Sequence, residues 1–364
     1  MANCNPENER IKRQYFEWEK EANGKSLSTV NNMRNNIYLF DEFTKFKSFK
    51  HLTKEDVIAF KKYITQKKNQ RTNEPVSKTY LLHVSKSLIG LFRWLCCQKG
   101  YKQKIRPDDI NYFKLSDKDI QIAKSAATKR VPTLNQLELV VKGMPSETEI
   151  QKRDKAVFAL LILTGCRVKA LSSLKLKHIS IEDERIEQHP QEVQTKFGKK
   201  IITFFFPIEG CFKKIVIDWV IFLKNEKHFD YNAPLFPSTS LTLDKNDQFS
   251  RETLDVKSWQ STTSIRNIVK RAFEAAGLPY YNPHSFRDTL VRHMSKLCKS
   301  PEEFKAVSQN IGHNNPLTTF TSYGHIEEYN QGEIIKKLGQ DKEQNSFTTK
   351  EISELKKMLE QKNS

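Results

Sequence analysis

Through the first hundred positions, apolar side chains recur three and four residues apart. Residues 9–22 (ERIKRQYFEWEKEA) and 27–46 (LSTVNNMRNNIYLFDEFTKF) each carry such a face, the second through Val30, Met33, Ile37, Leu39 and Phe40. That spacing predicts amphipathic helices. In HLTKEDVIAFKKYITQKK, Thr53 and Asp56 have the layout of a capping box, and Val57, Phe60 and Ile64 continue the period. Residues 65–77 are polar and read as a loop. Residues 78–98 (KTYLLHVSKSLIGLFRWLCCQ) are apolar enough for a central helix. Four helices predict a small all-α module.

The pattern then changes twice. Residues 114–130 (KLSDKDIQIAKSAATKR) show no core period and read as a linker. From Pro132 and Thr133 a helical period resumes with Leu134, Leu137, Leu139 and Val140. DKAVFALLILTG is too long for a typical strand and reads as a buried helix stopped by Gly165, with a further helix, RVKALSSL, just after it. Residues 178–207 are β-branched and aromatic around a Phe-Gly turn, which predicts a small antiparallel sheet in helical surroundings. Helices are expected near 213–226, 261–276, 285–297, 301–311 and 316–322. In the tail, Thr348 and Glu351 have capping-box spacing, and Ile352, Leu355, Met358 and Leu359 make an apolar stripe. The fold class is therefore mainly α with a small antiparallel sheet.

Composition narrows the partners. The chain has 364 residues and a formal net charge of +18. Residues 1–130 hold 27 Lys plus Arg against 14 Asp plus Glu; residues 131–364 hold 34 against 29. An excess concentrated in one third of the chain points to a polyanion, with nucleic acid leading because phosphate neutralisation releases counterions. No stretch approaches the ~20 apolar residues of a membrane helix, and MANCNPENERIKRQ lacks the apolar run of a secretory signal. A cytoplasmic protein without membrane contact is expected. The six cysteines are scattered, which favours free, buried thiols over a disulfide framework or a zinc site.

Four short segments carry candidate chemistry: Thr164-Gly165-Cys166-Arg167, Gln194-Thr195-Lys196-Phe197-Gly198-Lys199-Lys200, His284-Ser285-Phe286-Arg287, and Gly312-His313 followed by Tyr323. Each alone has a bland reading as cap, solvated lysine, surface pair or turn. Together they supply two guanidiniums, two imidazoles, one ammonium and one phenol. Two Arg can clamp the non-bridging oxygens of a phosphodiester. Such donors strengthen as charge gathers in the transition state, each worth roughly 3 kcal/mol in comparable oxyanion sites. Tyr is a weak nucleophile without cationic help, having a reference pKa of about 10. His284 and His313 suit phosphate positioning or proton acceptance, and a lysine ammonium suits protonation of a 5′-hydroxyl leaving group. These segments contain no carboxylate cluster for a two-metal mechanism. No cofactor or metal is called for, and the chemistry reads as transesterification through a phosphotyrosine.

The order Arg, Lys, His-x-x-Arg, Gly-His, Tyr resembles the tyrosine recombinase (phage integrase) family over roughly residues 10–330. The resemblance implies Arg167, Lys196, His284, Arg287 and His313 as catalytic residues and Tyr323 as the nucleophile. It also implies a two-domain clamp on double-stranded DNA, with four protomers exchanging strands through a Holliday junction. The expected organisation is a helical core-type DNA-binding domain (1–113), a linker (114–130), a catalytic domain (131–340) and a tail helix (341–364) packed in cis or exchanged between protomers. Few residues precede the first helix, so no additional arm-type domain is expected. Three positions depart from the family pattern. Ala170 stands where an acidic residue is common, with Asp288 as a candidate substitute. The interval from His313 to Tyr323 is ten residues, one longer than usual. Lys199 and Lys200 share the hairpin with Lys196, which is preferred because it precedes the Phe-Gly turn. Tyr329 is a second candidate nucleophile. The function implied is site-specific integration or excision of a mobile element. The alternatives are a catalytically silent DNA-binding relative and a type IB topoisomerase.

Overall fold

The computed structural model describes residues 4–69, 73–124, 130–195, 198–240, 242–243, 249–250, 253–313 and 353. The chain divides into two compact units, Met1–Ala127 and Thr128–Ser364.

The regular elements of the first unit's described residues are helices, with one isolated bridge beside them. Its elements are α1 (Pro6–Glu21), α2 (Leu27–Phe43), α3 (Lys54–Gln66), α4 (Lys78–Leu95), α5 (Pro107–Asn111) and α6 (Asp117–Lys124). Side chains that accept early backbone N–H groups fix the starts of the four long helices: Asn5, Ser26, Thr53 and Ser77. The expected Thr53–Asp56 capping box is present. Phe40 sits edge-on to Phe60, Phe92 and Phe113 at 5.0, 5.6 and 5.4 Å. These rings join α2, α3 and α4 into one core.

A buried polar knot staples α1 to α2. Lys12 (1% exposed) reaches Asp41 (0%) at 2.6 Å and Glu9 at 2.7 Å. Asn8 donates to the second Asp41 oxygen at 2.9 Å and accepts from the Phe49 backbone. Removing one partner strands the other charge away from water. Asp41→Asn should therefore destabilise this unit by about 3 kcal/mol, read as a lower urea midpoint.

The expected linker contains α6, which packs on α4. Lys78 pairs with Asp119 at 2.7 Å, and Thr79 donates to the Ala123 carbonyl. α6 buries none of its residues fully, so polar contacts rather than a core face hold it.

The second unit opens with α7 (Leu134–Gly143) and α8 (Glu149–Thr164), both held by capping boxes, at Thr133 and Thr148. α8 is its centre and buries an unbroken run from Ala156 to Thr164. Around it lie α9 (Val168–Leu171), α10 (Phe212–Ile221), α11 (Thr263–Ala275), α12 (His284–Leu297) and α13 (Pro301–Asn310). The helix expected over RVKALSSL stops at Leu171. The hydroxyls of Ser172 and Ser173 turn back onto the Lys169 and Ala170 carbonyls, competing with the helical pattern. The predicted sheet is β1 (Ile179–Ser180), β2 (Arg185–Gln188) and β3 (Ile201–Phe204), antiparallel in that order. Two further antiparallel pairs join β4 (Pro237–Thr239) to β7 (Leu254–Ser258) and β5 (Thr242–Leu243) to β6 (Phe249–Ser250).

All six cysteines are free. The expectation that they are buried holds for Cys166 alone; Cys4 and Cys97 are exposed, and the others are half-buried. No helix of the described residues is long and apolar enough to cross a membrane. Lys196, Tyr323, Tyr329, the helix near 316–322 and, apart from Ser353, the tail helix at 341–364 lie outside the described residues.

Candidate active site

The Thr164-Gly165-Cys166-Arg167 turn is built by the end of α8. Gly165 takes a left-handed conformation (φ +55°) and its N–H closes the helix on Leu161. A Cβ there would lie 3.1 Å from Leu290 Cδ1. Gly165→Ala should cost about 1–2 kcal/mol from the left-handed backbone alone, measurable as a reduced melting temperature. Arg167 then sits at the cap of α9, half-buried.

α12 carries the His-x-x-Arg pair. His284 is its first residue and is exposed; its N–H donates to the Asn282 side chain at 2.9 Å. Arg287, one turn on, is 2% exposed. Its Nη1 donates to the Gly165 carbonyl at 3.1 Å and its Nη2 to the Ile311 carbonyl. One guanidinium therefore ties the turn before Arg167 to the turn before His313. Gly312 allows that second turn through φ +68°, and the His313 N–H closes on the Ser308 carbonyl at 3.0 Å. Asn310 fixes the same turn to the sheet, pairing both ways with the Phe204 backbone at 2.7 and 3.0 Å.

Arg167 and His284 line one cleft of about 700 Å³, together with Lys169, Gln194, Trp259 and Arg266. Thr262, Asn282 and Pro283 at the starts of α11 and α12 also line it. Helix N-termini favour anions, so the wall combines two helix starts with three basic side chains. Arg287 and His313 are not among the residues lining this cleft. Arg287 is held against the Gly165 turn by its bond to the Gly165 carbonyl. Lys169, Trp259 and Arg266 were not singled out from sequence. Arg266 gave a faint signal: with Lys270 it forms an i,i+4 basic pair at the start of an amphipathic helix.

Cys166 lies in the same turn, and burial pushes its thiol up to about 11. It stays protonated at neutral pH and does not compete as a nucleophile. Ala170 is buried in the core, and Asp288, also buried, follows Arg287 on α12. Lys200 reaches to within 3.9 Å of Glu187 on the neighbouring strand.

Residues 132–329 match the family model described as the phage integrase family. The chain belongs to the phage integrase family. The family match includes all six candidate positions, Arg167, Lys196, His284, Arg287, His313 and Tyr323. Among curated family members, tyrosine recombinase XerC of Bifidobacterium longum (strain DJO10A) is 24% identical over 210 residues, 56% of this chain and 53% of that protein. The chain thus spans about half the length of the curated relatives it matches. A lambda integrase dimer bound to a core site shares the fold at TM-score 0.58 and 16% identity, covering 88% of this chain and 96% of that one. XerH site-specific recombinase bound to its difH substrate does so at TM-score 0.54 and 16% identity, covering 92% and 90%.

Proposed function

We propose that this member of the phage integrase family is a site-specific DNA recombinase that breaks and rejoins DNA through Tyr323. The observation that carries the reading is the double hydrogen bond of Arg287. It ties the turn that precedes Arg167 to the turn that precedes His313, two motifs far apart in sequence, and this supports reading them as parts of one site.

In this account Arg167 and Arg287 hold the non-bridging oxygens of the scissile phosphate. The Tyr323 Oη attacks phosphorus, and the bond from phosphorus to the 5′-oxygen breaks. His284 or His313 accepts the phenolic proton, and Lys196 gives a proton to the departing 5′-oxygen. The 3′-phosphotyrosine keeps the bond energy, so a second 5′-hydroxyl reverses the step without an external energy source. A lambda integrase tetramer bound to a Holliday junction shares the fold at TM-score 0.56 and 16% identity. A tetrameric synaptic complex is proposed here on that likeness. The basic residues of 1–113 grip the duplex backbone, residues 131–340 carry the chemistry, and the protein works in the cytoplasm on mobile-element DNA.

The test is capture. Incubate the protein with sheared DNA from its source cell, denature in SDS, and sequence the DNA that stays attached. One enriched sequence supports the recombinase. Attachment at arbitrary sequences points to a type IB topoisomerase, and binding without attachment to a silent relative. Affinity should fall steeply with salt, because most of the contacts go to phosphate; a plot of log K against log salt checks this.

A further inference from the structure

The loop that leads into the candidate proton donor is anchored by a carboxylate that no motif marks. Glu192 lies four residues before Lys196, between β2 and β3. One of its oxygens contacts Lys177 Nζ at 2.6 Å and Lys175 Nζ at 3.5 Å. The other is 3.0 Å from His178 Nε2. The Lys175 backbone N–H donates to His178 Nδ1 at 3.0 Å. A backbone amide only donates, so Nδ1 is the acceptor and the ring proton sits on Nε2, aimed at Glu192. Burial holds the His178 pKa below its ordinary value, in keeping with that neutral ring. The bonds from Lys177 and His178 bring the Glu192 carboxyl down to about 2, so it stays ionised at any working pH.

The next two residues of the loop are fixed beside the cleft. Val193 is buried in the core of the unit. The Gln194 N–H donates at 3.0 Å to the hydroxyl of Ser173, which follows α9 and its Arg167 cap. Gln194 itself lines the cleft with Arg167 and His284. Lys196 follows two residues later in the sequence.

We infer that Glu192 is a positioning residue for leaving-group protonation: its clasp on Lys175, Lys177 and His178 sets where the chain delivers Lys196. This rests on the recombinase reading above. The two lysine pairs are partly exposed, and exposed pairs contribute little to stability; the buried His178 keeps an acceptor in the side-chain carbonyl of a Gln at 192. Losing Glu192 should therefore slow the chemistry without unfolding the protein.

The experiment uses the full-length protein and a nicked duplex of the captured sequence, made once with an ordinary 5′-oxygen and once with a bridging 5′-sulfur at the scissile phosphate. A thiolate departs without a proton, so the sulfur substrate needs no general acid. General acids contribute about 10²–10⁴-fold, so Glu192→Gln should cleave the oxygen substrate about tenfold more slowly. It should cleave the sulfur substrate at the wild-type rate and keep the wild-type melting temperature. Lys196→Ala should show the same rescue with a larger initial loss. Equal slowing of Glu192→Gln on both substrates, or none on either, overturns the positioning role. Failure of sulfur to rescue Lys196→Ala, or absence of cleavage by the wild type, overturns the underlying reading instead. Hydrogen exchange over residues 193–200 provides an arm without substrate. Faster exchange in Glu192→Gln supports the clasp, and unchanged exchange contradicts it.

Discussion

Tyr323→Phe binds the captured duplex as tightly as the wild type and leaves no SDS-resistant adduct. The substitution removes one oxygen and keeps the ring, so packing and DNA contacts should persist. Loss of a nucleophile is not made good by its neighbours, and the adduct should fall by at least about a thousandfold. The Cys166 thiol, in the turn before Arg167, is buried and held protonated, so it offers no substitute. Tyr329→Phe is the control and should retain the adduct. Gel separation after denaturation reads both. An adduct surviving in Tyr323→Phe and lost in Tyr329→Phe would transfer the role to Tyr329.

Arg287→Ala and Arg167→Ala should both lose about 10²–10³-fold in cleavage, the cost of one donor to a developing oxyanion. They should differ in stability. Arg167 is half-buried at a helix cap, and its loss should lower the melting temperature less. Arg287 is buried and bridges two carbonyls, at Gly165 and Ile311. Its removal leaves both acceptors without that donor, at about 1–3 kcal/mol each. It also frees the His313 turn from the Arg167 turn. Single-turnover cleavage with parallel thermal melts separates the two effects. Equal melting temperatures for the two variants would show that Arg287 does not hold the motif turns together.

Elements were readable from sequence where packing and local chemistry agreed. The α8 run from Ala156 is apolar on all sides and is stopped by a glycine able to turn left-handed. Thr53 and Thr133 announce helix starts through side-chain acceptors, and the β2–β3 segment is rich in β-branched and aromatic residues. Elements were missed where surface polar contacts do the holding. α6 is fixed by Lys78–Asp119 and Thr79, and α9 is ended by serine hydroxyls. β4 begins with Pro237 and pairs with β7 through an irregular register, so no alternation marks it.

The candidate site divides in the same way. The motif residues are visible because their types and order are unusual together. Two features need the fold. Arg287 serves as a brace between turns, and Glu192 receives its three partners only when Lys175, Lys177 and His178 are folded beside it. The cleft wall at Arg266 and Trp259 likewise comes from separate elements.

The central claim is a covalent bond between Tyr323 and a 3′-phosphate. It is tested most directly by digesting the captured adduct with nuclease and protease and sequencing the nucleotide-bearing peptide by mass spectrometry. The expected product is a nucleotide joined through its 3′-phosphate to the Tyr323 oxygen, with a free 5′-hydroxyl on the other DNA fragment. A nucleotide on any other residue, or joined through a 5′-phosphate, would contradict it.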